Sequence, residues 1–301
     1  MHHLNQQIEL PILEEKGISL SIKREDLLHP FVSGNKFRKL KYNLLEIRDL
    51  NVRTLITFGG AYSNHIAATA FAGKEAGVDT VGIIRGEELA DSWRENPTLA
   101  FAVQQGMALR FVSRSIYGEK EDPFFLGQLK REFGPCYILP EGGTNVLAVK
   151  GCAEILQPTD MDFNVVCCAV GTGGTIAGIV NSAGESQRVL GFPALKGDFL
   201  KKDIRKFARK ENWELVTEYH FGGYAKVDKE LVDFINFFKA KTLVPLDPIY
   251  TGKMLYGIMD MAQKDRFLPG TRILAIHTGG LQGINGMNTI LKRKKLPLIT
   301  L

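Results

Sequence analysis

A lysine at the predicted start of a helix is the side chain in this sequence best suited to covalent chemistry. In the segment SGNKFRKL, residues 33–40, Ser33 or Asn35 can cap a helix in which Lys36 lies close to the first turn. The positive end of the helix dipole disfavours a cation there, so we expect a lowered pKa for Lys36 and an amine able to attack an aldehyde. Lys39 lies one turn further along the same face. Taken alone, the segment is more typical of a solvated helix that carries several lysines.

A glycine-rich loop follows the apolar run VVCCAV. Its residues are Gly171, Thr172, Gly173, Gly174 and Thr175, and the helix-like segment IAGIV comes directly after them. Glycines let backbone N–H groups approach an anion, and the N-terminus of the next helix adds a favourable dipole. No Gly-Lys-Ser/Thr follows, and no acidic residue ends the next strand, so neither a Walker A loop nor a dinucleotide loop is predicted. A monophosphate is the favoured ligand, although a plain turn would contain the same glycines.

A third polar segment, YSNH at residues 62–65, comes after the predicted strand TLITF. Ser63 and Asn64 can cap the helix that begins here. His65 can be a buried histidine whose ring nitrogens are hydrogen-bonded. No Gly-x-Ser-x-Gly elbow surrounds Ser63, which argues against a hydrolase triad.

The elements that must position these segments alternate along the chain. Apolar, β-branched runs predict strands at 54–58, 80–84, 108–112, 137–139, 165–170, 188–191, 214–217 and 273–277. Helical spacing of apolar residues predicts helices at 37–47, 64–77, 96–106, 228–239 and 252–263. This alternation indicates an α/β fold of parallel sheets covered by helices on both faces. The loops GGAYSNH, EGGTN, GTGGT and TGG each follow a strand, where such sheets bind ligands, so we expect them to share one site.

Composition excludes several classes of protein. The chain has 301 residues, 45% hydrophobic and 24% charged, enough for one large domain or two lobes. Its net charge of +5 is spread out and not interleaved with aromatic residues, which argues against nucleic-acid binding. The apolar runs are too short to cross a membrane, and the N-terminus does not have the pattern of a signal peptide. The four cysteines lack CxxC spacing, so we expect buried free thiols, no metal and a reducing, cytoplasmic location.

Together and in this order, the motifs resemble those of the tryptophan-synthase-β-like (fold type II) pyridoxal-phosphate (PLP) enzymes, and within them the D-cysteine desulfhydrase / 1-aminocyclopropane-1-carboxylate (ACC) deaminase family. The matching segments span nearly the whole chain: IKREDL (22–27), SGNKFRKL (33–40), TLITFGGAYSNH (54–65), PEGGTN (140–145), AVGTGGTIAG (169–178), DPIYTGKM (247–254) and ILAIHTGG (273–280). The resemblance implies two lobes, each a mostly parallel, open, twisted sheet flanked by helices, with PLP in the cleft between them. It also implies a large domain of residues 1–38 plus 146–301, a small domain of residues 39–145, and a homodimer.

The resemblance further implies roles for individual residues. Lys36 would hold PLP as a Schiff base, and Lys39 would help to neutralise the phosphate. The loop of residues 171–175 would bind that phosphate, chiefly through the backbone of its last three residues. Asn64 would hydrogen-bond the 3′-oxygen of the cofactor, and Ser63 would contact the substrate carboxylate or relay protons.

Four further residues match positions around the substrate and the cofactor ring. Tyr250 and Tyr224 would face the substrate, although the segment FGGYAK around Tyr224 departs from the family's usual YGVP-type segment. Thr251 or Thr278 would lie near the pyridine nitrogen. ACC deaminases carry a glutamate at the position of Thr251, and a carboxylate there would keep the nitrogen protonated and the ring a stronger electron sink. Ring opening needs that sink more than β-elimination does, so Thr251 favours β-elimination.

The sequence therefore predicts a PLP-dependent deaminating lyase that acts on a small amino acid, with D configuration favoured. Lys36 would remove the α-proton as a general base, and the β-substituent would then leave. For D-cysteine the products would be pyruvate, sulfide and ammonia. Two alternatives stay open: an ACC deaminase that forms 2-oxobutanoate and ammonia, and a protein that binds PLP or an anion with little catalysis.

Overall fold

The alternating segments form two separate sheets in the computed structural model, which describes residues 5–197 and 199–300. The strands are β1 (Asn5–Ile8), β2 (Ser19–Lys23), β3 (Thr54–Gly59), β4 (Asp79–Arg85), β5 (Ala108–Val112), β6 (Cys136–Leu139), β7 (Val165–Val170), β8 (Arg188–Pro193), β9 (Trp213–Leu215) and β10 (Arg272–Ile276). The α-helices are α1 (Pro11–Glu15), α2 (Asn35–Asp49), α3 (Asn64–Ala76), α4 (Pro97–Gln104), α5 (Arg114–Gly118), α6 (Pro123–Phe133), α7 (Val146–Cys152), α8 (Gly174–Ser182), α9 (Phe199–Arg205), α10 (Lys229–Thr242), α11 (Thr251–Gln263) and α12 (Gly283–Arg293). The prediction about a signal peptide concerned the N-terminus, and its first four residues lie outside the described residues.

The strand order gives each sheet a parallel core. The larger sheet has the order β1-β2-β10-β7-β8-β9, and the smaller sheet has the order β5-β4-β3-β6. Every neighbouring pair is parallel except β1 with β2. Parallel neighbours cannot be joined by a tight hairpin, so helical segments form most of the connections. The chain thus has the predicted α/β fold with helix-flanked parallel sheets.

Side chains that alternate along the central strand β7 enter two different cores. Val165, Cys167 and Ala169 pack with apolar residues of α10 and α11 on one face of the larger sheet. The intervening side chains Val166 and Cys168 pack with residues of α7 and α8 on the other face. A strand buried on both faces is continuously apolar, which explains the run VVCCAV.

The eight predicted strands all form, with ends within two residues of the predicted ones, and the five predicted helices form with ends within three. The strands β1 and β2 were not predicted. Asn5–Ile8 is an edge strand of mostly amide side chains, and Ser19–Lys23 is short, so neither has a strong strand pattern. The four cysteines are free, and Cys136 is only partly buried.

A close approach of two helices fixes the position of α2. A Cβ atom at Gly151 of α7 would lie only 2.0 Å from the carbonyl oxygen of Arg38, so only glycine allows this contact. Helix α2 is thereby pressed against α7, with Lys36 and Lys39 in its first turns. Within the part of the chain described, no helix has the length and apolarity needed to cross a membrane.

Candidate active site

A cavity of about 400 Å³ lies where the carboxyl ends of strands from both sheets meet. Residues that follow β3, β6, β7 and β10 line it, together with the first turns of α2. These are the four polar and glycine-rich loops expected to share a site, and the structure brings them together. The predicted site residues that line the cavity are Lys36, Lys39, Ser63, Asn64, Gly171, Thr172, Gly173, Thr175, Tyr224, Tyr250 and Thr278. Gly174 and Thr251 are not among the residues that line it.

Helix α2 begins without the side-chain cap that the sequence suggested. Its N-cap residue is Gly34, with φ of 61°, and no side chain accepts a hydrogen bond from the first turn. Ser33 instead donates to the carbonyl oxygen of Asp26 at 3.1 Å, and Asn35 donates to Thr175 Oγ1 at 2.8 Å. The capping prediction for Ser33 and Asn35 is therefore wrong, because both side chains are used to tie the start of α2 to neighbouring loops.

Lys36 lies in the second position of α2 and lines the cavity. Burial, and then the positive charge of Lys39, lower its pKa from the ordinary value of 10.5 to about 7. Its Nζ atom donates to Asn35 Oδ1 at 3.3 Å. The direction of the expected pKa shift is confirmed, but the main physical cause is desolvation by the surrounding protein. Much of the Lys36 amine is consequently neutral at pH 7.

Lys39 joins two of the loops. Its ammonium donates to the carbonyl oxygen of Gly142 and to Thr144 Oγ1, both at 2.9 Å, and to Thr172 Oγ1 at 3.4 Å. The side chain is almost completely buried, and burial lowers its pKa. Lys39 therefore places a cation beneath the glycine-rich loop and holds that loop against the segment after β6.

The glycine-rich loop has the geometry of an anion cup. Gly173, the N-cap of α8, has φ of 83°, and no side chain caps the first turn of that helix. A Cβ atom would lie 2.8 Å from Ile204 Cγ1 at Gly173 and 2.8 Å from Thr144 at Gly174. The loop is thus closed to larger residues, while the N-terminal N–H groups of α8 and the nearby Lys39 favour an anion. These residues fit a phosphate group of the size that PLP carries.

The segment YSNH opens α3 at the edge of the cavity. Ser63 Oγ caps the helix by accepting from the N–H of Ile66 at 3.3 Å, and Asn64 Oδ1 accepts from Gln282 Nε2 at 2.9 Å. His65 is buried, with Thr57 Oγ1 at 2.7 Å from its Nε2 atom. Burial, and then the charge of Lys36, hold the pKa of His65 well below its usual range. The predictions of a Ser63 cap and of a buried, hydrogen-bonded His65 are confirmed.

Two tyrosines form another part of the wall. The rings of Tyr224 and Tyr250 meet edge to face, with centroids 6.3 Å apart. Burial raises the pKa of both hydroxyls, well above the usual value for Tyr250. The Tyr250 ring also lies against the glycine loop, because a Cβ atom at Gly171 would be 3.3 Å from its Cε1 atom. At neutral pH both hydroxyls keep their protons and can act as hydrogen-bond donors.

Of the two threonines expected near the ring nitrogen, only Thr278 lines the cavity. Thr251 is fully buried, and its hydroxyl donates to Asp247 Oδ1 at 2.7 Å and accepts from the backbone N–H of Asp247 at 3.0 Å. Thr251 therefore closes a capping motif at the start of α11. The geometry gives no support to a contact between Thr251 and the cofactor ring.

Four functional residues were missed from the sequence. Asp247 accepts the N–H groups of Ile249, Tyr250 and Thr251 and so sets the position of Tyr250. Its place four residues before the first residue of α11 was a capping signal that could have been used. Lys253, Arg85 and Glu141 had no local signal, because the groups that they contact are distant in sequence.

Lys253 holds the loop that carries Tyr224. Its buried ammonium donates to the carbonyl oxygens of His220 at 2.9 Å and Gly223 at 2.8 Å. Burial lowers the pKa of Lys253 to about 8. The loop needs such an anchor, since Phe221, Gly222, Gly223 and Ala225 all have positive φ angles.

Comparisons with known proteins agree with this geometry. The family model described as "Pyridoxal-phosphate dependent enzyme" matches residues 5–279. A protein of Pyrococcus horikoshii described as a putative 1-aminocyclopropane-1-carboxylate deaminase is 31% identical over 90% of this chain and 87% of its own length. A protein of Arabidopsis thaliana described as a mitochondrial bifunctional D-cysteine desulfhydrase/1-aminocyclopropane-1-carboxylate deaminase is 31% identical over 89% of this chain and 74% of its own. A crystal structure of an ACC deaminase homologue superposes with a TM-score of 0.82 at 28% identity, covering 95% of this chain and 93% of the other.

Proposed function

The chain belongs to the family of pyridoxal-phosphate-dependent enzymes, and we propose that it eliminates the β-substituent of a small D-amino acid such as D-cysteine. The observation that carries the proposal is the position of Lys36. Its amine, with a pKa of about 7, opens onto a cavity that also contains the anion cup of residues 171–175 and two protonated tyrosines. A base, a phosphate site and protonated hydroxyls are the groups that an elimination on PLP requires.

When bound, PLP supplies a carbonyl carbon that reacts with amines and a ring that withdraws electrons from the α-carbon of the substrate. The residues that would hold it are the cup of residues 171–175 and Lys39 at the phosphate, Lys36 at the reactive carbon, Asn64 at the 3′-oxygen and Thr278 beside the ring. Each of these side chains or loops borders the cavity. This set is consistent with a single molecule of the cofactor.

The protein's own groups would perform the remaining steps. Ser63 and the first turn of α3 would bind the substrate carboxylate, since a helix N-terminus favours an anion. Lys36 Nζ would take the proton from the α-carbon, and the protonated hydroxyl of Tyr250 would donate to the departing sulfur. D-cysteine and water would then give pyruvate, sulfide and ammonia.

ACC deaminase activity is a second candidate, because the descriptions of similar proteins name that enzyme. We favour β-elimination because Thr278, an uncharged hydroxyl, borders the cavity where the resemblance places the ring nitrogen. Glu141 is the one carboxylate lining the cavity within residues 5–197 and 199–300, and it is hydrogen-bonded to Tyr117. A neutral neighbour would leave the ring a weaker electron sink, which suits elimination of a thiol better than ring opening.

A substrate panel tests this proposal. The PLP-loaded protein would be assayed with D-cysteine, D-serine, β-chloro-D-alanine and ACC, measuring pyruvate, 2-oxobutanoate and ammonia. We expect pyruvate from the D-amino acids, no 2-oxobutanoate from ACC, and loss of both turnover and visible cofactor absorbance in Lys36→Ala. Formation of 2-oxobutanoate without pyruvate would establish the alternative reaction. Cofactor binding with no product from any compound would indicate a binding protein.

We also propose that the chain works as a homodimer in the cytoplasm, with a large domain of residues 1–38 plus 146–301 and a small domain of residues 39–145. The family resemblance supports the dimer and the domain limits. The buried free thiols of Cys152, Cys167 and Cys168 are typical of a reducing compartment. Light scattering on the purified protein would give its mass in solution and test the dimer.

A further inference from the structure

The outer wall of the cavity carries a cation that is not used by the steps above. Arg85, the last residue of β4, lines the cavity, and its side chain is exposed there. Its guanidinium carbon lies 5.7 Å from the centroid of the Tyr117 ring. Its Nη2 atom lies 3.5 Å from the point where a Cβ atom of Gly60 would be, so the side chain lies over the loop after β3. Throughout the described residues, no hydrogen bond or ion pair joins this guanidinium to an acceptor.

The nearest carboxylate of the wall already has other partners. Glu141 Oε1 accepts from the Tyr117 hydroxyl at 2.7 Å, and its Oε2 atom lies 3.5 Å from Lys120 Nζ. The Lys120 ammonium is also 5.4 Å from the centroid of the Tyr117 ring. Arg85 and Lys120 both lie near the ring of Tyr117, whose hydroxyl is hydrogen-bonded to Glu141, and the charges of these two cations and one carboxylate sum to one positive charge. A free guanidinium beside a small cavity is a ready partner for a carboxylate, sulfate or phosphate.

Arg85 lines the same cavity as Tyr224, the side chain that would face the substrate in the function proposed above. Burial raises the pKa of Tyr224, whereas a hydrogen bond with Tyr250 and then the charge of Arg85 lower it, so the Arg85 charge acts on the Tyr224 hydroxyl. The substrate carboxylate, in contrast, already has Ser63 and the start of α3 in the function proposed above. Arg85 is therefore available for a second anionic group.

We propose that Arg85 recognises a negatively charged β-substituent, and that the substrates of this enzyme are amino acids whose β-substituent is a sulfate or phosphate ester, which departs as sulfate or phosphate. This inference rests on the proposed elimination reaction and names its substrate class. For a sulfate ester of D-serine, the α-proton passes to Lys36, the Cβ–O bond breaks, and its electron pair leaves with the sulfate. Water then replaces the amino group of the resulting enamine, so the products are pyruvate, ammonia and sulfate without any oxidant or reductant.

The kinetic test compares two substrates that differ in the charge of the intact β-substituent, which is negative in the sulfate ester and neutral in the acetate ester. The PLP-loaded wild type should prefer O-sulfo-D-serine to O-acetyl-D-serine. Arg85→Gln should lose about 10- to 100-fold in kcat/KM for the sulfate ester and change little for the acetate ester, because only the former loses a charge-assisted hydrogen bond. Arg85→Lys should retain part of the preference. Arg53→Gln is the matched control, since Arg53 is exposed just before β3, at the opposite end of the sheet.

A binding measurement separates this inference from the reaction on which it rests. Titration calorimetry would use D-aspartate and D-asparagine, which have nearly the same shape and differ in charge. The wild type should bind D-aspartate more tightly than D-asparagine, and Arg85→Gln should show no such preference. An equal loss for both compounds in Arg85→Gln, or no preference in the wild type, would overturn the inference. If no amino acid in either assay yields pyruvate, the elimination reaction fails, and the binding pair still decides whether Arg85 selects an anion.

Discussion

The pKa of Lys36 offers the most direct test of the chemistry proposed for this site. At pH 7, an amine with a pKa of about 7 is about half neutral, whereas an amine at the ordinary lysine value of 10.5 is neutral in about 0.03% of molecules. Burial of Lys36 therefore increases the reactive fraction roughly a thousandfold. In protein freed of cofactor, the rate at which pyridoxal is captured should rise with pH and level off above a midpoint near pH 7. Pyridoxal is preferable to PLP because it has no phosphate that titrates in the same range.

The measurement is the growth of visible absorbance after rapid mixing, from about pH 5 to about pH 9. Lys36→Ala provides the background from other lysines. In Lys39→Met the midpoint should move upward, because one of the two causes of the low pKa is the neighbouring charge of Lys39. It should stay below the ordinary lysine value, since burial remains. A rate that keeps rising through pH 9 without a plateau would refute the assignment of Lys36 as the neutral amine.

Two further substitutions follow from the loops around the cavity. Gly173→Ala should weaken PLP binding about tenfold, because the substitution strains a left-handed backbone and places a Cβ atom 2.8 Å from Ile204. Absorbance titration with PLP measures this loss of affinity. The control is Gly106→Ala, which should bind PLP normally, because Gly106 also has a positive φ, of 94°, but has open space around the added atom. Lys253→Met should reduce the free energy of unfolding by about 2 kcal/mol and lower kcat/KM, because the carbonyl oxygens that anchor the Tyr224 loop lose a charged donor. Urea denaturation would measure the loss of unfolding free energy in Lys253→Met. An unchanged unfolding midpoint would contradict the anchoring role of Lys253.

Local patterns predicted most of the fold and much of the site. The run VVCCAV followed by GTGGT contains both a doubly buried strand and its loop, so the positions of β7, the cup and α8 could be derived from about a dozen residues. The same holds for Ser63, which caps α3 as its residue type suggests. Wherever a loop directly follows a strand, strand direction alone determines the edge of the sheet at which the loop lies.

Positions that depend on contacts between distant segments could not be predicted in this way. Lys253 donates to the carbonyl oxygens of His220 and Gly223, which lie 33 and 30 residues earlier in the chain. The start of α2 has the residues of a capped helix, yet Ser33 and Asn35 bond to other loops. In each case a partner available only in the folded chain determined where the side chain lies.

Lys36 shows most clearly how such a distant contact determines chemistry. The sequence indicated a low pKa from the helix dipole, an effect that a solvated helix would also have and that is worth a fraction of a pKa unit to about one. The larger part of the shift comes from burial, which depends on the packing of α2 against α7. That packing requires a glycine at position 151, because any side chain there would collide with the backbone of Arg38. A residue more than a hundred positions away, without any reactive group, thus permits the contact that helps keep the amine of Lys36 neutral.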